Sequence, residues 1–135
     1  MKFEFLEHTA DIKFRAYGRS LEKLFSNSAL AFRKSMVFKV RKKKKMKISV
    51  KGKDLESLLY NFLEELLFLI DTSGFLISKV QKIKINRNKF ELSAKISGDK
   101  VSCYEFNREV KAITYQEMFI HELKNRWVCQ VVLDV

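Results

Sequence analysis

The stretch "DIKFRAYGRSLEKLFSNSALAFRKSM", Asp11 to Met36, changes its period partway through. Ile12, Phe14 and Ala16 alternate with Lys13, Arg15 and Tyr17, the spacing of a half-buried strand whose successive side chains face opposite ways. Gly18 interrupts the alternation. Ser20 is an N-cap residue type, able to take up a free amide of a first helical turn. Leu21, Leu24, Phe25, Ala29, Phe32 and Met36 then recur at helical spacing. A strand that runs directly into a helix sets an α+β reading.

The pattern continues outward. "KMKISVKG" sets Met46, Ile48 and Val50 against lysines, a second strand. Asp54 caps a second helix with the stripe Leu55, Leu58, Leu59, Phe62, Leu66 and Ile70. Leu63, Leu67, Phe68 and Leu69 widen that stripe, so this helix is expected to be the more buried of the two. "TSG" stops it before Phe75. Val80, Ile83 and Ile85 lead into the turn "NRN", from which Phe90, Leu92, Ala94 and Ile96 alternate away as the second arm of a hairpin. "SGDK" reads as another turn. "EVKAITY" and "MFIHEL" read as two further strands, and the turn "KNR" precedes a last strand, "WVCQVVLDV", opened by a packing Trp127. The expected fold is α+β, with two helices packed on one face of a mostly antiparallel sheet or sandwich of about six or seven strands. Residues 1–135 are expected to form a single domain.

Composition narrows the function classes. At 47% hydrophobic and 13% aromatic residues, the chain can build a packed core and is not a disordered one. No apolar run reaches the length of a membrane span, and the charged N-terminus is not a signal peptide, so no membrane partner and a cytoplasmic location are expected. Cys103 and Cys129 are too few and too far apart for a disulfide framework or a zinc knuckle, and read as reduced thiols. The net charge is +11, but "KVRKKKKMK", Lys39 to Lys47, carries seven positive residues and no acid, leaving +4 for the rest. This run reads as a solvated loop between two elements. Lys42, Lys43, Lys44 and Lys45 could also contact RNA phosphates or an acidic partner, steering and positioning without reading sequence. No DNA partner is expected.

No glycine-rich phosphate loop, nucleophile elbow or paired-histidine metal motif is present. What remains is a scatter of polar residues at strand ends. Glu7, His8 and Asp11 stand at the start of one strand. Lys111, Thr114 and Tyr115 lie in "EVKAITY". Asp134 ends the last apolar strand beside the carboxylate of Val135. Should those strands be neighbours, oxygen ligands without a thiolate would favour a hard cation such as Ca²⁺ or Mg²⁺ over zinc. Solvated strand ends are the plainer reading of the same residues. His8 reads as a half-buried residue fixing a turn, and His121 as a solvent-facing strand residue. A stand-alone hydrolase would need a general base in a cleft, and no His or Glu clearly accompanies the Asp pair.

Four segments together carry a resemblance. "EHTADIKFRAYGRSLEKLFSNSALAF", "DLESLLYNFLEELLF", "EVKAITY" and the closing "VVLDV" follow one another as in the archease family, over nearly the whole chain. Archeases are accessory proteins of the RNA ligase that joins 2′,3′-cyclic phosphate and 5′-hydroxyl ends in tRNA splicing. The resemblance implies a protein with no turnover of its own that promotes ligase guanylylation and repeated turnover. It implies a divalent metal, calcium first and magnesium or manganese as alternatives. Asp11 of "HTAD" and Asp134 of "LDV" match the ligand positions, with the Val135 carboxylate as a further candidate. Glu7 and Lys111 would lie near the site. Gln116 stands where the family often has His, and Gln cannot titrate near neutral pH. The other role attached to the family, chaperone or modulator of tRNA-modifying enzymes such as a methyltransferase, remains open beside the ligase reading.

Overall fold

The computed structural model describes all of residues 1–135. Both helices start where the capping residues place them. In α1 (Leu21–Lys34) the Lys23 amide donates to Ser20 Oγ at 3.1 Å. In α2 (Leu55–Ser73) a reciprocal box forms: the Ser57 amide donates to Asp54 Oδ1 at 2.7 Å, and the Asp54 amide to Ser57 Oγ at 3.1 Å. Gly74, at φ +60, ends α2 in the left-handed conformation that glycine adopts without strain.

Seven strands complete the fold: β1 (Phe3–Leu6), β2 (Ile12–Gly18), β3 (Lys44–Lys51), β4 (Phe75–Asn86), β5 (Glu91–Lys100), β6 (Ala112–Glu122) and β7 (Trp127–Asp134). They form two antiparallel sheets, ordered β1-β2-β7-β6 and β3-β5-β4. Both helices touch both sheets, α1 lying against β2 and β4 and α2 against β6 and β4. One cluster of 32 buried residues joins all the layers, with Phe14, Phe25, Phe32 and Phe62 fully enclosed. Met36 is also buried in it, two residues past the end of α1. Strand β7 is buried from Trp127 through Leu133. Cys129, Val131 and Leu133 join the common core, while Val128, Gln130 and Val132 lie on the other face.

Five local expectations are corrected. The more buried helix is α1, with eight of its 14 residues buried against seven of 19 in α2, where Phe68 faces outward. "SGDK" is no turn but the end of β5, paired through Phe75↔Lys100, Leu76↔Asp99 and Ile77↔Gly98. A Cβ on Gly98 would stand 2.2 Å from the Leu76 carbonyl oxygen, so this glycine serves close strand packing. "EVKAITY" and "MFIHEL" are one strand, β6, whose register jumps from Thr114↔Val132 to Phe119↔Gln130. Glu117 sits at φ +55 inside that bulge. The basic run is not all loop, since Lys44 and Lys45 already pair in β3 with Gly98 and Ser97. Lys111 is not in an apolar strand; it is exposed and precedes β6.

Candidate functional site

Strands β2, β7 and β6 bring together residues from distant parts of the chain. Ile12 pairs with Leu133 as the last pair of that ladder, and Asp11 and Asp134 each stand one residue beyond it. On the other side Asp134 pairs with Ala112, and the Lys111 amide donates to the Asp134 carbonyl at 2.7 Å. The Val135 side chain packs against the core, as the alternation after Leu133 requires.

A second polar group surrounds Asp11. His8 Nδ1 stands 3.7 Å from Asp11 Oδ2, and Nε2 stands 3.1 Å from Glu117 Oε2. Lys13 Nζ donates to Glu117 Oε1 at 3.3 Å. These two partners hold the Glu117 carboxyl below the usual glutamate range, the His8 hydrogen bond first and Lys13 next. The same bulge is tied down when Gln130 Nε2 donates to the Glu117 carbonyl at 2.8 Å. The His8 side chain is only 17% exposed, and its Nδ1 is buried without a hydrogen-bond partner. Glu117 is the member that sequence reading missed. Its neighbour Gln116 attracted notice instead, yet Gln116 is exposed and its amide merely donates to Thr114 Oγ1 at 3.3 Å.

Glu7, His8 and Asp11 line a cavity of about 910 Å³ together with Lys34, Asn107 and Arg108. Asp134 and Lys111 lie outside its lining. Thr114 Oγ1 donates to the Val132 carbonyl at 2.8 Å, and Tyr115 stacks on Tyr60 with centroids 4.1 Å apart. His121 is exposed and stacks on Phe119. Nowhere do three or more His, Cys, Asp or Glu side chains converge closely enough to enclose a metal ion. The acidic end is therefore open: Asp11 and Asp134 offer oxygen donors, and the unpartnered His8 Nδ1 faces one of them. Such a set, carboxylate oxygens without a thiolate, would suit a hard cation that keeps part of its hydration better than zinc.

Fold and site define a small two-sheet α+β protein that gathers acidic groups from both ends of the chain at one rim. The chain matches the Archease protein family (MTH1598/TM1083) over residues 3–135, and it belongs to that family. It is 44% identical to the archease of Pyrococcus abyssi and 43% identical to that of Thermococcus kodakarensis, in each case over 99% of both chains. The solution structure of Methanobacterium thermoautotrophicum protein 1598 superposes with a TM-score of 0.86 at 36% identity, covering 99% of each chain. The crystal structure of a Thermotoga maritima archease, described as a possible chaperone, shares the fold with a TM-score of 0.64 at 20% identity, over 96% of this chain and 94% of that one. No helix is long and apolar enough to cross a membrane.

Proposed function

We propose that this chain is a metal-binding accessory protein that activates the tRNA-splicing RNA ligase and has no turnover of its own. The observation that supports the reading is the Ile12↔Leu133 pairing of β2 with β7, which leaves Asp11 and Asp134 each one residue beyond the same end of that ladder. Two carboxylates at a sheet end, with no enclosing third ligand, suit a cation whose other positions stay open to water or to a partner's groups. Bound there, calcium, or magnesium or manganese in its place, would supply positive charge to a nucleotide's phosphates at the ligase.

This chain's own residues have separable tasks. Asp11 and Asp134 hold the cation. His8, anchored to Glu117, fixes the approach of Asp11 and so acts as a positioning residue. Lys111, bonded through its amide to the Asp134 backbone, keeps the end of β7 in place. Glu7, exposed at the rim of the adjoining cavity, adds negative charge nearby. A cytoplasmic setting agrees with the partner.

The test measures ligase turnover with stoichiometric and substoichiometric additions of wild-type, Asp11→Asn and Asp134→Asn protein. Each variant is expected to lose at least about ten-fold of the stimulation, the size of effect that ligand or supporting-residue changes have on metal sites. Calcium titration by calorimetry supplies a readout independent of the ligase, and both variants are expected to lose the binding isotherm. Folded variants that stimulate fully would sink the mechanism. Stimulation that survives loss of the carboxylates, together with improved solubility of a tRNA methyltransferase, would favour the chaperone role instead.

A further inference from the structure

On the other flank of α1 lies a cleft of about 470 Å³ whose lining contains seven Lys or Arg residues and no Asp or Glu. Its floor is Arg33, only 6% exposed. The Arg33 guanidinium donates to the Val37 and Phe38 carbonyls, and to the Ser78 carbonyl at 3.0 Å. It makes no ion pair with any carboxylate, and its Nε is buried without a partner. A buried cation with no counter-charge is an unfavourable arrangement unless an anion joins it. Burial pushes the Arg33 guanidinium below its ordinary range. Lys2, Lys23, Lys39, Lys42 and Lys79 surround it from four separate segments. The remaining cation, Arg41, is partly neutralised by Asp99 at 3.3 Å.

An aromatic group adjoins this charge. Phe38, whose carbonyl caps Arg33, stands just outside the cleft's lining, next to Lys39 in the chain, and leaves 62% of its surface exposed. A cationic groove beside an open aromatic face is the combination by which proteins hold unpaired nucleic-acid strands. An acidic peptide would use the lysines but has no base to lay on Phe38. We propose that this cleft binds the phosphodiester backbone of single-stranded RNA, with Arg33 and its ring of lysines on the phosphates and Phe38 as a stacking platform. The choice of RNA as the strand rests on the ligase reading; the cleft itself lies apart from the Asp11–Asp134 rim. Within the lysine run only Lys39 and Lys42 line it, so this assignment is narrower than the run as a whole.

The test is fluorescence anisotropy of the isolated protein with a labelled oligouridylate of about ten nucleotides, without ligase, so that its outcome is independent of the activation assay. Three or four phosphate contacts give a slope of log K against log salt of about −2 to −3. The pair Lys39→Glu/Lys79→Glu is expected to weaken binding at least about ten-fold and to flatten that slope. Phe38→Ala is expected to weaken it about five-fold or more. Two charge-matched pairs serve as references: Lys89→Glu/Lys124→Glu in turns, and Lys82→Glu/Lys84→Glu beside a shallow lysine-rich pocket on the open sheet. Both are expected to change binding less than about three-fold, as long-range charge does in salt. All these variants are at exposed positions, and circular dichroism confirms their folding. Equal losses in a reference pair, or no binding at low salt, would overturn the site. So would an oligoglutamate of equal charge competing as well as RNA while Phe38→Ala has no effect, which would assign the cleft to an acidic peptide.

Discussion

Two cavities flank helix α1, and they are built in opposite ways. The one at the acidic rim gathers Glu7, His8 and Asp11 opposite the cations Lys34 and Arg108; the other gathers cations alone. The two buried side-chain nitrogens that lack a hydrogen-bond partner, His8 Nδ1 and Arg33 Nε, fall one in each. At the rim, the unpartnered nitrogen belongs to a side chain already bonded to an exposed carboxylate. In the cleft it belongs to a guanidinium that ties the segment after α1 to β4 through three backbone carbonyls. The rim polar group therefore sits on a finished fold, whereas Arg33 is part of what holds the fold together.

The sharpest way to break that contrast is to remove each nitrogen in turn. Arg33→Ala would leave buried carbonyls of Val37, Phe38 and Ser78 without their donor. An expected loss of about 3 kcal/mol follows, because unmet buried acceptors retain their desolvation penalty. His8→Ala, whose partner Glu117 stays solvated, is expected to shift the urea midpoint far less. Equal midpoints for the two variants in urea denaturation would erase the distinction.

A second measurement sharpens the rim. A ligand that binds only the folded state at 100 times its Kd stabilises by about 2.7 kcal/mol. Calcium in such excess is expected to raise the thermal midpoint of the wild-type protein by several degrees. The rise should vanish in Asp11→Asn and persist in Lys39→Glu/Lys79→Glu, since those lysines line the other cavity. A midpoint that calcium moves equally in all three proteins would place the cation elsewhere.

The parts of this molecule that sequence makes legible are those whose causes are local. Ser20 and Asp54 cap helices by bonding amides three residues on, and the alternation of Ile12, Phe14 and Ala16 encodes one face of β2. The "SGDK" segment misleads because its turn-favouring residue types are overruled by pairing with Phe75–Ile77, which nothing local announces. Asp11 and Asp134 are separately ordinary strand-end acids, and only the family resemblance joins them. Long-range register does the rest. Glu117 was invisible for a different reason. A glutamate at positive φ carries no residue-type signal, and the bulge exists because β6 slips against β7 between Thr114 and Phe119. The cleft escaped because Arg33 reads as a basic residue in the last turn of α1, favourable to the helix dipole and expected in solvent. Phe38 stands one residue before the lysine run, so the run alone looks free of aromatics.

The smallest expected effect concerns pH at the Glu117 bulge. His8 and Lys13 are the groups facing this carboxylate, with Asp11 behind His8. Because Glu117 titrates lower in the folded protein than in the unfolded chain, its contribution to stability is present above the ordinary glutamate value of about 4.3. The contribution is lost as pH falls through the depressed folded value. Wild-type protein is therefore expected to have a slightly higher urea midpoint than Glu117→Gln at pH 7. That gap should close as pH falls below the ordinary glutamate value. Lys13→Met, which removes the second partner, should narrow the gap at neutral pH without abolishing it, because the His8 bond remains. A wild-type midpoint that lay below that of Glu117→Gln at pH 7 and caught up with it on acidification would mean that Glu117 is repelled rather than held at the rim, and the anchoring of His8 beside Asp11 would have to be assigned to another residue.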